Sequence, residues 1–176
     1  VSVERIREEL EKLIMSNYIE RMPALWESGL MAHISPVLNK AFLSHGKEIM
    51  HEIKNVPFKT YVRWSVIFHY MDLEEVTAEL KRLKFDNKTI RFVSKVAENF
   101  SSPLVDDRYE VKKLINKAGI EELDAILRIR VSQGDEDAEE VQKTFKDIFI
   151  KNEPLFLRDL KIDGNSLLSL GVPKGK

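Results

Sequence analysis

Cysteine is absent from all 176 residues, which excludes disulfides, thiolate zinc knuckles and a thiol nucleophile together. Glycine and proline are scarce, seven and six, so long structureless connections are not expected. No apolar run approaches the ~18 residues that a membrane-spanning helix needs. No segment has the pattern of a secretory leader, and the expected compartment is the cytoplasm. An excess of one charge is missing too, since 28 Lys and Arg face 29 Asp and Glu for a net of −1. A module that holds nucleic acid by bulk attraction carries a large basic surplus. Any such contact here must come from a local basic stripe. The chain opens on Val-Ser rather than Met, so a mature start or a piece cut from a longer gene product is expected.

What is present is helical periodicity. The chain is 43% hydrophobic, enough for the core of one domain or two small ones. Val3, Ile6, Leu10, Leu13 and Ile14 share one face of a first helix, with Ser2 placed to cap its free amides. A second helix carries Leu25 and Trp26 and stops at Gly29. Ser35-Pro36 starts a short turn that runs into Leu38, Ala41 and Phe42, and another helix is expected near 44–55, ahead of Pro57. An aromatic-rich helix follows at about 60–70, with Tyr61, Trp64 and Phe68 at helical spacing. That spacing reads as core packing rather than base stacking, because stacking platforms normally lie on exposed sheets or loops.

Asp72-Leu73-Glu74-Glu75 has capping-box form and opens a helix carrying Val76, Leu80 and Leu83. Asp86-Asn87 caps the next, which buries Ile90, Val93, Val96 and Phe100. Ser101-Ser102-Pro103 is the clearest linker-like break. Beyond it three more helical patterns run from Val111 to Ala118, Ile120 to Val131 and Ala138 to Phe149. Asp106-Asp107, just ahead of the first of these, reads as a helix cap. Nothing alternates with period two for long enough to be a strand, so the expected class is all-α. The C-terminal stretch ends on Gly171-Val172-Pro173-Lys174-Gly175-Lys176, a basic turn with no helix after it. A turn of that composition normally feeds another helix, and truncation is expected.

Three ordered segments carry a family resemblance. Ser2-Val3-Glu4-Arg5-Ile6 through Leu10, followed by Glu27-Ser28-Gly29-Leu30 and Ile34-Ser35-Pro36, resembles the neck of class II CCA-adding enzymes and bacterial poly(A) polymerases. Arg82-Leu83-Lys84-Phe85-Asp86-Asn87-Lys88 is similar to the family's linker between two body helices. Leu160-Lys161-Ile162-Asp163-Gly164 through Gly171 resembles its body-to-tail junction, with Ser166 where many members have Asp. The resemblance spans essentially the whole chain. It implies a curved array of helices like the C-terminal region of a poly(A) polymerase. Its expected parts are neck-like helices at 1–43, a helical body at 44–153 and the start of a truncated tail at 154–176.

The resemblance also implies a partner and a missing part. The family grips RNA, tRNA above all, and extends its 3′ end in a separate head, where a D-x-D pair behind a G-G-x-V-R-D loop holds two magnesium ions. Neither that loop nor the family's base-reading E-D-x-x-R occurs here. No catalytic residue, metal ligand or cofactor is therefore expected in this chain, and magnesium belongs to the head. Arg5 and Glu9, one helical turn apart, are expected to brace the base-reading motif. RNA phosphates are expected at Lys161, Lys174, Gly175 and Lys176, where glycine-turn amides and lysines form a cradle. A second basic group surrounds Arg82 and Lys84, with Lys81 and Lys88. The acidic stretch Asp135-Glu136-Asp137 with Glu139-Glu140 should face away from RNA.

Many relatives carry a metal phosphohydrolase site in which the second His is followed by Asp. Here Tyr70 follows His69, so the hard anionic ligand is missing. The four histidines, His33, His45, His51 and His69, read as ordinary partly buried imidazoles. The rival function is an all-helical protein-interaction module with no RNA role.

Overall fold

The computed structural model describes residues 2–156, 159 and 169. Among them the regular structure is entirely helical, in agreement with the all-α class. The α-helices are α1 (Val3–Ile14), α2 (Pro23–Glu27), α3 (Leu30–Ile34), α4 (Pro36–Asn55), α5 (Thr60–Phe68), α6 (Leu73–Arg82), α7 (Asn87–Asn99), α8 (Arg108–Ala118), α9 (Ile120–Ser132) and α10 (Glu136–Ile150). A short 3₁₀ turn, Ile19–Arg21, precedes α2. No described helix is long and apolar enough to cross a membrane.

Side-chain caps start five of the ten described α-helices. The Ser2 hydroxyl accepts from the Arg5 amide at 3.3 Å, Ser35 from Leu38 at 3.1 Å and Asp86 from Thr89 at 3.0 Å. Asp107 takes the Tyr109 and Glu110 amides at 2.9 and 3.1 Å, which makes it the cap expected of Asp106-Asp107. Asp106 instead accepts from the Thr144 hydroxyl of α10 at 2.5 Å. Asp72 departs from the expectation. It sits at the start of α6 with extended backbone, yet its side chain caps nothing.

α5 organises the first core. Every residue from Val62 to Phe68 is buried, so this helix is surrounded, as an all-round apolar helix must be. Trp64 and Phe68 lie within it at 1% and 0% exposure, the core role expected of them. Leu10 and Ile14 of α1, Ile49 and Ile53 of α4, Val76 and Leu80 of α6, and Phe92, Val93 and Val96 of α7 join the same cluster. A second cluster gathers Leu104, Val111 and Ile115 with Ala138, Val141, Phe145 and Ile148. α9 belongs to both: Ala125, Ile126 and Ile129 face the first core, Leu123 and Leu127 the second.

The break at Ser101-Ser102-Pro103 coincides with the seam between the clusters. It is pinned there, because the Arg130 guanidinium donates to the Ser102 carbonyl at 2.9 Å and binds Asp135 at 2.6 Å. The expected 43/44 boundary falls next to a kink within α4, where two helical stretches meet at the non-helical His45 (φ −133°, ψ 21°). Gly46, beside the kink, lies against another helix. A Cβ there would lie 3.0 Å from the Trp26 ring.

Candidate nucleic-acid interface

The expected bracing pair sits on the outer face of α1. Arg5 and Glu9 are both exposed, and Glu9 pairs with Lys12 at 2.9 Å rather than with Arg5. The Lys12 hydrogen bond, with Arg5 a weaker through-space contributor, holds the Glu9 carboxyl below its usual range. Both side chains thus remain on an open surface, close to the start of the chain.

Arg82 and Lys84 are ion-paired on the surface, their side chains 44% and 59% exposed. The Arg82 guanidinium grips Glu79 with two bonds of 2.6 and 2.7 Å. It also donates to the Ile34 carbonyl at 2.9 Å, closing the end of α3. The Glu79 bond raises its pKa first of all. Lys84, at positive φ of 56°, pairs with Glu4 at 2.5 Å, while Arg7 donates to its carbonyl. This basic turn therefore clamps α6 and α7 to α1. Lys161, Lys174, Gly175 and Lys176 lie outside the described residues.

What the fold assembles is an open groove of ≈740 Å³ between α2 and the outer side of α4. Trp26 and Phe42 stack on each other at its wall, rings 4.9 Å apart and 8° from parallel. Leu43, 65% exposed, lies on its rim beside Lys47 and Lys54. These two lysines stand seven residues apart, about 10 Å along the helix, and neither makes an ion pair among the described residues. Glu20, Glu27 and Glu48 line the same groove, so it is mixed in charge. Sequence reasoning missed it because its walls come from helices that meet only in the fold.

Cations elsewhere divide sharply. Lys40, Lys88, Arg91 and Lys95 of the first region likewise form no ion pair among the described residues. In the second region Arg108 binds both Asp147 and Glu153. Lys112 joins Glu153 at 2.8 Å, Arg128 Asp124 at 2.8 Å, and Lys151 Asp147 at 2.8 Å. Unpaired cations are the ones able to exchange condensed counterions on a nucleic acid for a protein contact.

The histidines are structural. His69 Nε2 meets a Glu52 oxygen at 2.9 Å, with the two side chains 3% and 1% exposed. Glu52 also accepts from the Tyr70 hydroxyl at 2.5 Å and from Gln133, just beyond α9, at 2.9 Å. Burial first, then Glu52, pushes the Tyr70 phenol well above its ordinary pKa, so it stays a donor. His45 stacks on Tyr70 at 4.3 Å, and His51 Nε2 meets the Ser132 carbonyl at 3.0 Å. Tyr70, standing where the phosphohydrolase carboxylate would be, completes a buried hydrogen-bond knot.

One alternating acidic pair does occur, Asp135 and Asp137. Asp135 caps α10 by accepting from Ala138 at 3.1 Å while it binds Arg130. That engagement makes it a helix start rather than half of a metal clamp. No group of three His, Asp or Glu side chains converges for a metal ion among the described residues.

The array is all-helical, with an aromatic-edged groove in a first region that is close to neutral, 15 Lys and Arg against 14 Asp and Glu through Phe100. Two family models identify its family. Residues 1–42 match "Probable RNA and SrmB- binding site of polymerase A", and residues 59–176 match "tRNA nucleotidyltransferase domain 2 putative". The chain belongs to the tRNA nucleotidyltransferase/poly(A) polymerase family and represents its C-terminal region. No curated protein and no solved structure matches it.

Proposed function

We propose that this chain is the RNA-positioning arm of a template-independent nucleotidyltransferase, holding tRNA by shape and phosphate contacts while a head domain outside this sequence adds nucleotides to the 3′ end. The observation that carries this reading is the uneven pairing of cations. Lys47 and Lys54 stand unpaired beside the Trp26 groove, past the end of the segment 1–42 whose family description names RNA, whereas most second-region cations are neutralised.

In this reading the magnesium ions belong to that head, and this chain supplies no catalytic group. Arg5 and Glu9 brace the base-reading motif from the open face of α1. Lys161, Lys174, Gly175 and Lys176 add phosphate contacts from the tail. Arg82 and Lys84, exposed beside their ion-pair partners, add RNA contacts while fixing the α6–α7 turn against α1, and the protein works in the cytoplasm.

Filter binding of tRNA across a salt series tests it. Affinity should be weak and fall with salt, and Lys47→Glu with Lys54→Glu should flatten the log–log slope by about 1.4–1.8, for two phosphates released. Absence of tRNA binding at low salt, or a slope untouched by both changes, would count against the reading. A second reading has its own support, because the first family description names a protein, SrmB, beside RNA. Tyr18, Leu30 and Leu43 are 59%, 49% and 65% exposed, apolar surface suited to a protein partner.

A further inference from the structure

Tyr61, the first aromatic residue of α5, packs against the edge of the first core without being buried in it. It is partly exposed and packs edge-on against Phe92, ring centroids 4.6 Å apart. Its other surroundings form a cavity of ≈260 Å³ where the start of α5 meets α9 and α10. Val62, Ala125, Phe145 and Phe149 give that cavity an apolar lining, with Lys59, Glu121 and Asp124 around it. The Tyr61 hydroxyl donates to Glu121 at 3.2 Å. The ammonium groups of Lys59 and Lys88 lie 5.8 and 5.7 Å from the Tyr61 ring centroid, and neither makes an ion pair among the described residues. Asp124 is already bound to Arg128 at 2.8 Å, so Glu121 is the carboxylate with acceptor capacity left.

Size, polarity and charge together select an occupant. Drug-sized sites run to about 300–1,000 Å³; this one, slightly smaller, takes a single planar ring system and is too small for the apolar face of a helix. Its walls offer aromatic surface for a ring, Lys59 for a phosphate and one carboxylate for a ring amine, with Lys88 beside the Tyr61 ring but outside the lining. The geometry points to a pocket for one unpaired nucleotide of RNA, its base against Tyr61 and Phe149, its phosphate toward Lys59, and Glu121 favouring bases that carry an exocyclic amine. Adenine and cytosine present an NH₂ donor to a carboxylate; uracil presents none. The pocket rests on the RNA-holding function proposed above and adds to it a contact that reads base identity, lying in the body rather than beside the neck groove.

The test measures fluorescence anisotropy of labelled oligoadenylate and oligouridylate of equal length, and of tRNA, with the full chain. The unaltered protein should bind oligoadenylate more tightly than oligouridylate. Phe149→Ala, at an exposed position, should weaken oligoadenylate about 5–100-fold, the range for losing one base–aromatic stack. Glu121→Ala should erase the preference over oligouridylate with little change in oligouridylate affinity. Lys59→Ala should weaken both oligomers alike. Circular dichroism of each variant checks the fold, and Phe149→Leu gives a second reading should Phe149→Ala unfold. The pocket is overturned if tRNA binds and responds to Lys47 and Lys54 while all these substitutions leave oligomer binding unchanged. No binding of any RNA by the unaltered chain would overturn the pocket and the RNA-holding function together.

Discussion

The region through Phe100 and the region from Leu104 onward have similar helices and differ in how they treat charge. The second wraps α8 and α10 around α9 and ties them with carboxylate-paired cations, Arg108 to Asp147 and Glu153 foremost. The first leaves Lys40, Lys47, Lys54, Lys88 and Arg91 unpaired among the described residues and buries its one acidic knot, Glu52, beneath His69 and Tyr70. The first region holds 15 Lys and Arg against 14 Asp and Glu through Phe100, so the contrast lies in how charges are paired and not in a regional basic surplus.

The sharpest way to break the comparison is to ask whether the regions unfold separately. Trp64→Ala in the first core should cost about 3–5 kcal/mol and Ile115→Ala in the second about 2–5 kcal/mol, both read by urea denaturation. Because α9 contributes side chains to both cores, each variant should keep one transition by fluorescence and circular dichroism. Two separated transitions would make the regions independent domains.

Glu52→Ala strands His69, Tyr70 and Gln133 in a buried site and should cost about 3 kcal/mol. Gln133 comes from just beyond α9, so this loss too should be felt across the seam. A Glu52→Ala protein as stable as its parent would remove the knot from the account.

Asp86→Ala removes the α7 cap and should lower stability by about 1 kcal/mol. The Thr89 hydroxyl first, then the Thr89 amide, holds the Asp86 carboxyl below its ordinary value. A depressed folded-state pKa means the contribution is complete above the unfolded carboxylate range and disappears as pH falls through the folded value. The gap between parent and variant should thus narrow on acidification; a gap that widens would contradict the assignment.

The smallest effect sharpens the contrast in charge. Lys113→Ala breaks an exposed pair to Glu110 of 3.2 Å and should change stability by less than about 0.5 kcal/mol. It should also leave the salt slope of tRNA binding where it was, unlike Lys47→Glu. An equal effect on the slope would dissolve the distinction between the regions.

Much of the helix order was legible in the sequence because its causes are local. Ser2, Ser35, Asp86 and Asp107 cap helices with bonds that span three residues or fewer, and such signals survive in a one-dimensional reading. The break expected near 43/44 has its counterpart in the kink at His45, while the contact of Gly46 with Trp26, a residue from another helix, was not readable. The ion pairs of the basic turn at Arg82 and Lys84 were hidden for a similar reason. Composition shows the cations, and only the fold shows Glu79 and Glu4 already holding them.

The sequence alone therefore determined the helical class, the places where most helices begin, the apolar faces and the family, since periodicity, capping and motif order are all written along the chain. Tertiary structure alone decided which lysines are free, that Tyr61 meets Glu121 sixty residues away, and that α9 serves two cores at once. Ion pairs and cavities are properties of distance in space, and side chains far apart in sequence acquire that distance only when the helices pack.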